Sequence, residues 1–194
     1  MTRKVQARTL ATRDRLLAAG REIVAAQGMA GLRTEEVVLR AGTAKGTFFA
    51  HFVDRDHFLA ALLAERLGAE LEGLVAPADR PGLMQLLERV YRLFAADAET
   101  VTLLARFSGP AGAGLGLDRL ICLVVERLAE GVAGMQSRGE IAVRRAPEVL
   151  AEALMALIFH AAASAQCGLH GDAVAVRARA DGLLVDMTEA LLWP

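Results

Sequence analysis

Apolar positions recur at three- and four-residue steps along most of the chain, the spacing of a helix with one buried face. Leu16, Leu17, Gly20, Ile23 and Val24 mark a first helix, which Gly28 and Gly31 interrupt. Val37, Val38 and Ala41 form a second, short unit closed by Gly42, and residues 43–52 form a third, short and aromatic. Asp54 is placed to cap a long helix reaching Val75, whose face reads Phe58, Leu59, Leu62, Leu63, Leu67, Leu71 and Leu74. Pro77 and Pro81 separate it from a helix through Leu83, Leu86, Leu87, Val90, Tyr91 and Phe94. A short helix over 100–107 and a glycine-rich loop over 109–116 follow. Leu117, Leu120, Ile121, Val124, Leu128, Val132 and Met135 give the next helix, stopped near Gly139. Pro147 suits the first turn of another, running towards Gly168, and the last spans 172–192. The pattern predicts an all-α fold of about nine helices and no strand.

Composition agrees with that pattern. Of 194 residues, 54% are hydrophobic and only 5% aromatic. The mean hydropathy is +0.36, so there is ample material for a core and a wholly disordered chain is excluded. Two cysteines, Cys122 and Cys167, are too few for a disulfide scaffold and fit a reducing compartment. The first residues are charged and lack the apolar run of a secretory signal. Residues 153–171 contain no Asp, Glu, Lys or Arg. His160, Ser164, Gln166 and His170 interrupt them, and a helix buried against protein is expected there rather than a membrane span.

Charge changes the picture at the front of the chain. The net charge is -1, but residues 1–60 carry ten bases against six acids, an excess of +4, and the remainder carries -5. A basic front end suits a polyanion, and phosphate contacts are its strongest sequence-independent attraction. Within it, residues 34–52, TEEVVLRAGTAKGTFFAHF, read as two short helices joined by a tight turn at Ala41-Gly42. That is the shape of a helix-turn-helix. Val37, Val38, Ala41 and Phe48 can pack the pair into one unit, leaving the second helix to enter a major groove. Thr34, Lys45, Thr47 and His51 have the side chains for phosphates or base edges.

Residues 15–28 (RLLAAGREIVAAQG), 36–42 (EVVLRAG), 45–52 (KGTFFAHF) and 54–56 (DRD) together resemble the DNA-binding region of the TetR (tetracycline-repressor-like) family of bacterial regulators. The resemblance covers residues 12–63 without a gap. It implies a three-helix DNA-binding head over residues 1–55 and a larger helical body for ligand binding and dimerisation over 56–194. It also implies a DNA-facing set of Thr34, Thr43, Lys45, Gly46, Thr47, Phe49, His51 and Arg55. Three positions depart from the family pattern. Phe49 stands where a tyrosine is usual and lacks its hydroxyl. Ala44 replaces a small hydroxyl residue, so Thr43 is expected to cap the recognition helix. Arg33 replaces a hydroxyl cap before Thr34.

Other signals are weaker. The 109–116 loop lacks the Gly-Lys-Ser/Thr ending and preceding strand of a phosphate loop. His160, Cys167 and His170 make an incomplete zinc set, so no metal and no cofactor are expected. No catalytic constellation stands out, and no enzyme activity is expected. Tyr91, Phe94, Arg106, Phe107, Cys122, Met155, Phe159 and His160 are large or polar groups on mostly apolar helices, the make-up of a cavity wall. The reading is a ligand-responsive transcriptional regulator, a repressor acting as a homodimer through its last two helices on a palindromic DNA operator. It would respond to a small, largely apolar ligand in the bacterial cytoplasm, at the nucleoid. The alternative is a helical small-molecule-binding protein that has lost DNA binding.

Overall fold

Local chemistry fixes where several helices begin. Asp54, Asp79, Asp97 and Asp172 stand in extended backbone just ahead of four helices. Their carboxylates accept the backbone N–H of His57, of Gly82, of Thr100, and of Val174 and Ala175 respectively. Each satisfies donors that have no partner within the helix and places negative charge at the positive end of the helix dipole. Pro81 and Pro147 occupy first turns, where the missing N–H costs nothing.

The computed structural model describes residues 2–167 and 172–193. Among the described residues are nine α-helices, no β-strand and one 3-10 turn at Pro110–Gly112. The helices are α1 (Thr2–Gly31), α2 (Thr34–Arg40), α3 (Lys45–His51), α4 (Arg55–Glu70), α5 (Arg80–Phe94), α6 (Ala98–Phe107), α7 (Leu117–Ser137), α8 (Pro147–Ala165) and α9 (Ala173–Leu192). The all-α expectation therefore holds, and α1 breaks at the expected Gly28.

One boundary differs from the periodicity. α4 stops at Glu70, not near Val75. Arg89 of α5 donates to the Glu70 carbonyl, and the chain turns through Gly73 at φ 71°. Leu71 and Leu74 keep the helical spacing because the turn still folds both against the core, Leu71 fully and Leu74 partly buried.

α1, α2, α3 and the first turns of α4 make the head. Leu16, Ile23, Leu32, Val37, Phe48 and Phe58 are fully buried in it. The Phe58 ring packs edge-on against Phe48 at 5.1 Å and Phe52 at 4.8 Å. A Cβ on Gly20 would stand 2.6 Å from the Phe58 ring, so the glycine is what lets α1 and α4 cross there.

In the body, α8 lies against α5, α6, α7 and α9. It is long and apolar enough to cross a membrane by length and composition. Here Ala151, Leu154 and Ile158 are closed inside the protein. Ala161 and Ala162, on one of the two helices expected to pair copies of the chain, also point into this core, at 0% and 1% exposure. Beyond its first turn, the positions that α8 leaves open are Glu152, Ala156, His160 and Ala163, again at three- and four-residue steps. Trp193 closes the far end: its indole N–H donates to the Glu140 carbonyl at 2.9 Å, and Arg80 lies over its ring.

Candidate DNA-reading head and body grooves

The helix-turn-helix is built by short-range bonds and locked by a long-range one. Gly42 turns the chain at φ 60°, a left-handed conformation that suits glycine. Its N–H donates to Leu39, and the N–H of Thr43 donates to Val38. From α1, the Arg15 guanidinium donates to the carbonyls of Ala41 (3.0 Å) and Gly42 (3.3 Å), fixing the turn against the first helix. Phe48 anchors α3 in the core, so its other face is held outward. That face presents Lys45, Gly46 and Phe49 exposed, with Thr47 and His51 half-buried.

Two of the sequence-predicted residues have an altered setting. α3 begins after Ala44 with no side-chain cap, and the Thr43 hydroxyl is buried without a hydrogen-bond partner instead of capping it. Arg55, expected at the DNA backbone, turns inward. Its donors reach the carbonyls of Leu32 (3.0 Å) and Met29 (2.9 Å), and its Nη1 lies 3.1 Å from Glu99 on α6. Arg55 therefore closes the C-terminal end of α1 and ties it to the body. Thr34 opens α2, half-buried, behind an Arg33 that forms no side-chain cap.

Within the basic head, two cations of the helix-turn-helix pair with nearby acids. Lys45 donates to Glu35 at 2.7 Å, and that hydrogen bond, with the backbone and the lysine charge, holds the Glu35 carboxyl below its usual range. Arg40 pairs with Glu36 at 2.9 Å. Burial acts to raise the Asp54 carboxyl, but the His57 backbone N–H, the His57 ring and Arg106 outweigh it and hold the group low. Sequence reasoning missed Arg15, Arg13, whose guanidinium lies 4.6 Å from the Phe52 ring centre, and Glu35. Each acts on a residue distant along the chain, so no local signal marks it.

The eight cavity candidates do not line one cavity. Tyr91 faces a groove of about 610 Å³ between α5 and α9. Cys122 faces one of about 660 Å³ bounded by α1, α4 and α7, with Arg13 and Arg119. His160 lies in a third, of about 520 Å³, between α8 and α9. Phe94, Phe107 and Met155 are packed in the core, with Phe159 against Phe94 at 5.3 Å. Arg106 pairs with Asp56 and lies over the Phe107 ring. Of the discounted zinc set, His170 lies outside the described residues. Among the described residues, no group of three or more His, Cys, Asp and Glu is arranged to hold a metal.

A short helix pair with its second helix facing outward, fixed on a larger helical body, is a helix-turn-helix head on an all-helical body. Residues 16–62 match the profile of bacterial regulatory proteins, tetR family. A TetR-family transcriptional regulator from Pectobacterium atrosepticum has the same fold, with 23% identity, a TM-score of 0.66 and 97% of each chain covered. A TetR transcription regulator from Haloarcula marismortui is 15% identical, with a TM-score of 0.63 over 94% of this chain and 98% of that one. FadR from Bacillus subtilis, in complex with stearoyl-CoA, is 15% identical, with a TM-score of 0.57 over 92% and 97%. No curated protein matches the chain. The head thus carries the sequence profile of the tetR family over residues 16–62, and the chain as a whole shares the fold of these regulators.

Proposed function

We propose that this chain is a ligand-responsive repressor that binds a palindromic DNA operator as a homodimer, with head 1–55 reading DNA and body 56–194 binding ligand and partner. The observation that carries the reading is the outward face of α3, held by Phe48 from within and by the Arg15 clamp on the preceding turn. A rigid helix of this kind can place Lys45, Thr47 and His51 against phosphates and base edges. Phe49, half exposed, offers an apolar edge to a thymine methyl in place of a hydroxyl to phosphate. Thr34 adds a hydroxyl at the start of α2. Gly46 has open space around it, which lets backbone approach the duplex. Arg55 acts in this reading as a positioning residue, since its donors are engaged inside the protein.

Two heads in one dimer must meet successive major grooves about 34–36 Å apart. A ligand that prefers a different head separation would release the DNA, and a coupling of about 1–3 kcal/mol changes affinity about 5–150-fold. The retained Lys45, Thr47 and His51 favour this reading over a body that has lost its DNA. The test is fluorescence anisotropy with the duplex upstream of the chain's own gene across a salt series. Lys45→Ala should weaken binding and lower the log-log salt slope by about 0.9, one phosphate contact. Equal affinity and slope in wild type and variant would remove Lys45 from the interface. No saturable binding by wild type would favour the ligand-only alternative.

A further inference from the structure

Glu35 is an acid standing where a polyanion would be met, and the needs of the fold do not account for it. It lies exposed in the first turn of α2, and its Oε1 accepts from the Lys45 Nζ at 2.7 Å. An acid in a first turn favours its own helix through the dipole, but Glu36 beside it already supplies that charge. Three other acids of the head turn to partners that hold the head together: Glu36 and Glu22 to Arg40, and Asp54 to the cap of α4. Glu35 instead reaches across to the outward end of α3. A recognition helix reads base edges with its N-terminal residues, and Lys45 is the first residue of α3. Whatever Lys45 meets there, the Glu35 carboxylate stands beside it.

The chemistry of a carboxylate narrows what it can meet. The hydrogen bond from Lys45 first, then the backbone and the lysine charge, hold Glu35 below its usual range, so it is ionised at neutral pH and only accepts. Phosphates carry no donor for it. In the major groove the donors are the N4 amino group of cytosine and the N6 amino group of adenine. Adenine sets its N7 acceptor beside N6, which repels a carboxylate, whereas cytosine has no acceptor of its own on that edge; guanine and thymine present acceptors only. The Lys45 ammonium has two N–H groups beyond the one given to Glu35. They serve a neighbouring phosphate and offset the carboxylate's charge where it would otherwise be repelled.

We propose that Glu35 is a specificity-determining residue that reads a cytosine in each operator half-site, accepting from its N4 amino group in the major groove, with Lys45 as the positioning residue that holds and neutralises the carboxylate. This rests on the DNA-reading function proposed above and adds one letter of the sequence that is read.

The experiment is selection and sequencing from a pool of randomised duplexes, using the full chain as wild type, Glu35→Gln and Glu35→Ala. Wild type should enrich an inverted repeat with a cytosine fixed at one symmetric position. Glu35→Gln gains an amide that pairs with adenine N6 and N7, and should move that position from cytosine to adenine. Glu35→Ala should lose the preference there and keep it elsewhere. In anisotropy on the enriched operator, replacing that C·G pair should weaken wild type about 5- to 150-fold and Glu35→Ala less than about 2-fold. On a scrambled duplex both variants should bind more tightly than wild type, because a negative charge near the phosphates has gone. Weaker binding of both variants to operator and scrambled duplex alike would make Glu35 a scaffold of the head and overturn the proposal. So would a lost preference for any base other than cytosine. If both variants enrich the wild-type motif unchanged, the proposal is overturned and the DNA-reading function stands. If wild type enriches no motif, both fall.

Discussion

Arg55 illustrates how one side chain can be legible in type and illegible in role. Its place beside Asp54, at the start of a helix behind a helix-turn-helix, suggests a charge for DNA. Its guanidinium instead accounts for three carbonyls at the end of α1 and for Glu99 of α6, contacts 23 to 44 residues away. Sequence spacing reports neighbours within a helix, not partners brought by the fold. Asp54 is the contrast: its cap bond to His57 spans three residues and was readable from the sequence alone. Charge-assisted bonds in a partly buried setting are worth more than exposed ion pairs. Arg55→Ala should therefore cost about 2–3 kcal/mol in urea unfolding. Arg55→Lys should recover little of it, since one ammonium cannot serve carbonyls and carboxylate in that fork. A loss below about 0.5 kcal/mol, typical of exposed surface positions, would show that these bonds contribute little.

At the scale of elements, the starts of α4 and α8 were legible, because the Asp54 cap and the first-turn Pro147 are local chemistry, whereas α6 starts behind an unforeseen Asp97 cap two residues before the expected position. The end of α4 was not legible either, since Leu71 and Leu74 keep the apolar period while the backbone has already turned. The same limit applies to α8. Its alanines are equally apolar in sequence, but Ala161 and Ala162 face inward while Ala156 and Ala163 are open. The ligand set was scattered for a related reason: periodicity identifies buried positions without saying which line a space and which fill one. If α8 and α9 form a four-helix bundle with those of a second copy, the open stripe is where a charge acts. Ala156→Glu should convert dimers to monomers in sedimentation velocity and abolish operator binding while the helical content stays. Ala162→Glu would instead place the charge in the protomer's own core and destabilise the fold. A fully dimeric Ala156→Glu protein would move the interface elsewhere.

On the scale of the whole molecule, head and body share α4 rather than meeting across a linker. Its first turns carry Phe58 into the aromatic cluster of the head, and Leu67 is buried further along the same helix. Arg66 adds a bond to Thr100 at 2.9 Å, and His57 packs on Phe107 at 4.9 Å. With so many ties across the junction, wild type should melt in one calorimetric transition whose van't Hoff and calorimetric enthalpies agree. Two resolved peaks would mean that the halves unfold separately. The crossing of Gly20 over Phe58 has a practical corollary for anyone wishing to transplant this reading head onto another sensor. A graft cut at residue 55 would carry the notch on α1 but leave behind the ring that fills it. The transferable unit extends at least through the second turn of α4.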